Sequence, residues 1–177
     1  AIISFQRIIS NYSGTKIIPD AKIELGKALF RKNHFVDSLT QMNDVRSADY
    51  RKIYDNEDLL LYIGNANHEL GYSKEARDAL IKVLNIYPDI SEKDIILTHI
   101  GDTYAKENLI DKALKIYRIV TKQYVGTDGF IISSIRLARY LKERKEKEAI
   151  YKMIIDEYPD HEMFRLAMMR LGELQYQ

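Results

Sequence analysis

Apolar residues recur along this chain at the three-to-four-residue step of an amphipathic helix, in blocks separated by polar and turn-forming residues. The clearest block runs from Tyr62 to Asp89, YIGNANHELGYSKEARDALIKVLNIYPD. Gly64 and Ala66 are small residues within an apolar segment, Gly71 interrupts it, and Ala76, Leu80, Val83 and Leu84 restart a helical apolar period that Pro88 closes. The block predicts two short helices folded into a hairpin.

The hairpin pattern recurs. Small residues at Gly26, Gly64, Gly101, Ala138 and Gly172 follow one another 34 to 38 residues apart, the period of a two-helix repeat. A second marker runs in phase with the first, in the tails Ile8–Ser13 (IISNYS), Val83–Asp89 (VLNIYPD), Val120–Gly126 (VTKQYVG) and Ile154–Asp160 (IIDEYPD). Each tail places apolar residues one turn before a tyrosine, and Pro, Ser or a following Gly stops the helix. The tyrosine is expected to pack back into its hairpin.

These markers predict an opening helix at 1–12, helix pairs at 19–47, 55–87, 93–124 and 129–158, and a last helix at 162–176, about ten in all and within a single repeat domain. Asp94 with Ser91, and Asp128, stand where helix starts need side-chain acceptors, and Pro19 suits a first turn. From Ala138 to Pro159 there are 21 steps, against 24 from Gly64 to Pro88, so the fourth turn is expected to tighten within the run KERKEKE at Lys142–Glu148. That run alternates in sign and reads as a solvated helix corner.

Composition narrows the function classes. The 177 residues are 46% hydrophobic, with 27 Lys and Arg against 26 Asp and Glu, so a net charge of +1 provides no field favouring nucleic acid or an anionic membrane. The absence of cysteine excludes disulfides, thiol catalysis and thiolate-bound metals. No apolar run approaches the roughly 20 residues of a membrane span. A start at Ala1, without the pattern of a signal peptide, implies either a removed leader or an excised piece, and the uncovered apolar face of the last helix leads to the expectation of a fragment of a longer protein.

Ile63-Gly64, Leu70-Gly71-Tyr72, Glu75-Ala76, Leu80 and Tyr87-Pro88 resemble the tetratricopeptide repeat family nearly throughout its pattern. The third pair carries the resemblance through Ile100-Gly101, Tyr104, Ala113, Tyr117 and Tyr124, and the first through Leu25-Gly26, Leu29 and Phe35. In the fourth it is confined to Ala138, Tyr151 and Tyr158-Pro159. The resemblance covers essentially the whole chain and implies an all-α, right-handed superhelix of antiparallel helix pairs. The tails FQRIISNYS and IYKMIIDEYPD further resemble the bacterial envelope subgroup, which includes the lipoprotein of the outer-membrane β-barrel assembly machinery and the periplasmic coordinator of the Tol–Pal system. That subgroup favours a periplasmic or envelope location over the cytoplasm.

In such a fold the first helices line a concave groove. Counting from the small residues, its lining is expected to include Lys27, Phe30 and Arg31; Leu61, Asn65 and His68; Thr98, Asp102 and Lys106; and Arg139 and Lys142. Five cations and one anion among these suit a protein or peptide segment that carries acidic groups. The family's clamp for a terminal carboxylate fits poorly, because Lys27 stands where Asn is usual and Asp102 would repel a carboxylate.

Other chemistry finds little support. His34, His68, His99 and His161 lie in different repeats without metal-site spacing, so no metal or cofactor is expected. Asp78, Asp111 and Glu157 fall on second helices facing outward, and the GTDG of Gly126–Gly129 lacks the length and lysine of a phosphate loop. The reading is a non-catalytic protein-interaction scaffold, within a multiprotein complex, that binds a partner segment in its groove. The alternatives are self-assembly through the terminal helices, where Leu166, Met169, Leu171 and Leu174 form a candidate docking face, and a regulatory domain of a larger enzyme.

Overall fold

The computed structural model describes residues 1–176, which contain eleven helices and no strands. They fall into two compact units, Ala1–Ser91 and Glu92–Gln177.

The first unit holds α1 (Ile2–Asn11), α2 (Ile18–Phe30), α3 (Phe35–Ala48), α4 (Lys52–Asp55), α5 (Glu57–Leu70) and α6 (Ser73–Ile86). Pro19 occupies the first turn of α2, where its missing N–H costs nothing. The Asn56 side chain accepts from Leu59 N and starts α5. Between α5 and α6 the chain reverses at Gly71, whose φ of 81° lies in the left-handed region, and Tyr72 N donates to Asn67 O at 2.9 Å. Two sister hairpins use the same device with asparagine in the left-handed position. Asn33 (φ 61°) lets His34 N reach Leu29 O, and in the second unit Asn108 (φ 60°) lets Leu109 N reach Tyr104 O. The short α4 has no counterpart in the sequence reading. It is held by the tail tyrosine of α6, as Tyr87 Oη donates to Ile53 O at 2.8 Å.

The second unit holds α7 (Lys93–Lys106), α8 (Ile110–Gln123), α9 (Asp128–Tyr140), α10 (Arg144–Glu157) and α11 (Phe164–Gln175). The hairpin between α9 and α10 lacks the left-handed residue of the others. Leu141 leaves α9 in an extended conformation, and Leu141–Glu143 suffice for the reversal. The remainder of the charged run, from Arg144, is already the first turn of α10.

Inside three of the hairpins a bulky residue of the second helix presses on a glycine of the first, and in the α9–α10 hairpin the small residue is Ala138. A Cβ added at Gly26 would lie 2.8 Å from Met42 Cε, at Gly64 2.6 Å from Leu80 Cδ2, and at Gly101 2.5 Å from Tyr117 Cε1. The glycine therefore sets how closely the two helices approach. Consecutive first helices of the second unit also meet through small and polar groups. Gly129 N donates to Asp94 Oδ2 at 3.0 Å, and the hydroxyls of Thr98 and Ser133 lie 2.8 Å apart, all of them buried. Asp94 thus serves a neighbouring helix rather than its own start, and α9 is capped by Thr127 rather than Asp128. A core of Phe130, Ile131, Ile135, Ala138, Tyr151, Ile154 and Ala167 underlies α9, α10 and α11.

Candidate functional site

A cleft of about 310 Å³ opens in the second unit, framed by α9, the start of α10, and α11. Its apolar floor is Ile135, Tyr151, Leu166 and Leu174. Arg136, Arg139, Lys147 and Arg170 stand around that floor, with Glu173 as the only anion among the described residues of the lining. The arrangement follows from helical spacing: Arg136 and Arg139 are three apart on α9, and Leu166 and Arg170 four apart on α11, so each pair shares a face.

The four cations differ in how far they are committed. Arg136 Nε donates to Asp102 Oδ1 at 3.1 Å, and the same oxygen accepts from Tyr117 Oη at 2.6 Å. Burial pushes the Tyr117 hydroxyl far above its ordinary pKa, and the neighbouring Asp102 carboxylate, through its charge and its hydrogen bond, adds to the rise. Asp102 is therefore satisfied from two sides. Arg170 pairs with Glu173 at 2.8 Å on the exposed rim, where an ion pair contributes little. Arg139 lies over the Tyr140 ring, 5.8 Å from its centroid. Among the described residues neither Arg139 nor Lys147 has a carboxylate within ion-pair distance. Two cations are thus available beside an apolar floor, a combination that can hold a carboxylate-bearing chain by charge and bury an adjoining apolar side chain. The lining offers no nucleophile paired with a base.

The residues expected from the sequence are dispersed differently. Arg139, Leu166 and Leu174 meet in this cleft. Lys142 is exposed in the link before α10, and Lys106 is exposed at the end of α7. Thr98 is fully enclosed and Asp102 is 8% exposed, so both serve helix packing rather than a partner. In the first unit Leu61 (4% exposed) belongs to the core, because its neighbours on α5 are buried as well, and His68 is almost as enclosed, beside Glu69 at 3.3 Å. Asn65 is half-buried.

Lys27 is engaged by Asp58 at 2.6 Å and Glu24 at 2.9 Å. Burial acts to lower the pKa of its ammonium, but the hydrogen bonds to the two carboxylates outweigh that and hold it above its ordinary value. Phe30 packs edge-on against Phe35 and Tyr62, with centroids 5.2 and 5.3 Å away. Arg31 sits apart, beside Lys32 and an apolar hollow of Ala1, Ile2, Ile3 and Ala28. The face proposed for docking on α11 also resolves differently. Leu166, Leu171 and Leu174 pack onto the underlying core, and Met169 is exposed together with Met168.

Arg136, Lys147, Tyr151 and Arg170 were missed as site residues. Arg136 could have been found from its three-residue spacing to Arg139. Lys147 lies in the charged run, whose alternation of sign disguised the one cation that turns inward.

Residues 58–89 match the model of the tetratricopeptide repeat family. Solved structures extend the likeness over nearly the whole chain. A tetratricopeptide repeat protein from Parabacteroides merdae superposes with a TM-score of 0.74 at 16% identity, over 99% of this chain and 66% of that one. The chain has the tetratricopeptide repeat fold. PilF of Pseudomonas aeruginosa is similar over 98% of this chain and 72% of its own, with a TM-score of 0.67 at 12% identity. MamA is similar over 99% and 90%, with a TM-score of 0.64 at 14% identity. This chain therefore spans just under two thirds of the Parabacteroides protein. No curated protein matches the sequence. Tetratricopeptide repeats are generally scaffolds for contacts between proteins rather than catalysts. Among the described residues no helix is long and apolar enough to cross a membrane, and no three acidic or histidine side chains gather as a metal site.

Proposed function

We propose that this chain is a non-catalytic scaffold that binds an acidic, partly apolar segment of a partner protein in the cleft between α9, α10 and α11. The observation that carries the proposal is the pair of unneutralised cations, Arg139 and Lys147, beside the apolar floor of Ile135, Tyr151, Leu166 and Leu174. Charge would orient the segment and speed its capture, while the floor would supply affinity by excluding water. The partner's place in a multiprotein complex at the bacterial envelope is part of this reading, supported by the tails of α1 and α10.

The test uses a short fluorescein-labelled peptide of Glu, Leu and Phe, followed by anisotropy. Wild type is expected to bind it, and Arg139→Glu combined with Lys147→Glu to weaken binding by about tenfold or more, with helicity unchanged. Equal affinity for the two proteins would remove the cleft from the proposal.

A further inference from the structure

A second cleft, of about 340 Å³, opens in the first unit, with α5 as its floor and α3 and α6 as its walls. Leu60, Ile63 and Asn67 form the floor, and all three are buried. The cleft originates in one position of the repeat. Leu29, Asn67 and Tyr104 each stand three residues after the glycine of a first helix. Each also accepts the backbone N–H that closes its hairpin, from His34, Tyr72 and Leu109 respectively, so the three positions are equivalent. The sister hairpins place a bulky side chain there. Leu29 is 8% exposed, and the Tyr104 ring carries Lys112 Nζ 5.5 Å from its centroid. Asn67 is shorter, and its Nδ2 turns back to donate to Ile63 O at 2.8 Å. Space that a ring fills in the sister hairpin is thus left open between α3, α5 and α6.

The walls are charged in a definite order. Glu75, Asp78 and Lys82 recur at three- and four-residue steps on the face of α6 that lines the cleft. The two acids lie toward the hairpin turn, because α6 starts at Ser73. Lys82 lies toward the far end, where its Nζ stands over the Tyr50 ring, 4.5 Å from the centroid. Arg46 joins the lining from α3, one turn before Tyr50. Among the described residues Arg46, Glu75, Asp78 and Lys82 have no opposite charge within ion-pair distance. Anions at one end and cations at the other therefore stay available. Asn43 also lines the cleft from α3, and among the described residues its enclosed Oδ1 meets no hydrogen-bond donor. An orphaned acceptor in a polar lining is a group that a ligand can satisfy.

The separation of the two ends decides what fits. From Asp78 and Glu75 to Lys82 is about 6–10 Å along α6, at the 1.5 Å rise per residue of a helix. An extended chain advances about 3.3–3.6 Å per residue, so two or three residues bridge the ends. A free amino acid, with both charges on one residue, is too short. We propose that this cleft binds an extended segment of a partner protein in which a basic and an acidic side chain stand two or three residues apart. The basic side chain pairs with Glu75 and Asp78 and the acidic one with Arg46 and Lys82, while an apolar residue between them covers Leu60 and Ile63. A backbone N–H of the segment supplies the donor that Asn43 lacks. This chemistry differs from that of the cleft in the second unit, where the available charges, Arg139 and Lys147, are both cations.

The probe is the peptide Gly-Lys-Leu-Glu-Gly, capped at both ends so that only its side chains carry charge. It is titrated into isotope-labelled protein and followed by amide chemical shifts. Wild type is expected to bind it. Asn67→Tyr restores the bulk that Tyr104 supplies in the sister hairpin, and is expected to weaken binding by about tenfold or more with helicity unchanged. Glu75→Lys combined with Asp78→Lys, both at exposed positions, is expected to weaken it by about tenfold and to bind Gly-Glu-Leu-Glu-Gly about tenfold more tightly than wild type does. This charge variant decides alone should Asn67→Tyr lose helicity. Wild type that fails to bind the mixed-charge peptide at millimolar concentration would overturn the proposal. So would unchanged affinity in a folded variant, or an acidic peptide that binds wild type and the charge variant equally.

Discussion

Tyr117 shows how one hydroxyl can join three helices. Its ring covers Gly101, and its proton bridges to Asp102, which also holds Arg136 at the edge of the cleft. Removing the hydroxyl leaves a buried carboxylate one donor short, so Tyr117→Phe should cost about 1.5–3 kcal/mol in urea unfolding. The same residue predicts an alkaline weakness. The unfolded chain releases a tyrosine proton near pH 10, while the folded protein holds this one to higher pH, because burial and the adjacent Asp102 charge disfavour the phenolate. Its contribution is therefore complete below about pH 10 and is lost as the pH rises beyond it. The melting temperature of wild type should fall more steeply between pH 9 and pH 11 than that of Tyr117→Phe, with Tyr87 and Tyr151, also raised by burial, giving both proteins a residual slope. Parallel curves would show that Tyr117 does not carry this dependence.

Helix packing turns on what lies opposite each glycine. A methyl at Gly129 would sit 2.7 Å from the backbone carbonyl carbon of Asp94 and 2.7 Å from its Oδ2, atoms fixed by α7 and by their own hydrogen bond. A methyl at Gly26 would meet the Cε end of Met42, which can swing aside. Gly129→Ala should therefore destabilise by about 1–3 kcal/mol, while Gly26→Ala stays within about 1 kcal/mol because better helix propensity offsets the repacking. Thermal melts of the two variants check the contrast, and comparable losses would contradict it. These local rules also mark what the sequence disclosed. The all-α fold was legible because small residues and tail tyrosines occur in one phase. The roles of Asp94 and Thr127 were not, because a side chain within reach of its own helix start can instead cap or tie a neighbour, and only tertiary placement decides between them. The short α4 was hidden for a related reason: it is fixed by Tyr87, far along the chain.

At the scale of the molecule, the candidate site was legible only where it lay on first helices. Counting from the small residues found Arg139, but it also selected Leu61 and Thr98, which packing encloses. A count along one helix does not register how deeply neighbouring helices cover it, and it leaves out Lys147 because that residue comes from a second helix. Lys27 illustrates the other loss, since a cation that looks available in sequence is claimed by Asp58 across the hairpins. The site that results is smaller than the sequence groove, with two available cations, Arg139 and Lys147, in place of the five expected. Its most direct test is an exchange of charge on both partners. Wild type and the Arg139→Glu, Lys147→Glu variant are each titrated with the Glu-Leu-Phe peptide and with its Lys-Leu-Phe counterpart. The account predicts that the acidic peptide prefers wild type and the basic peptide prefers the variant, each by about tenfold and less so as salt is raised. The same order of affinities for both proteins would contradict it.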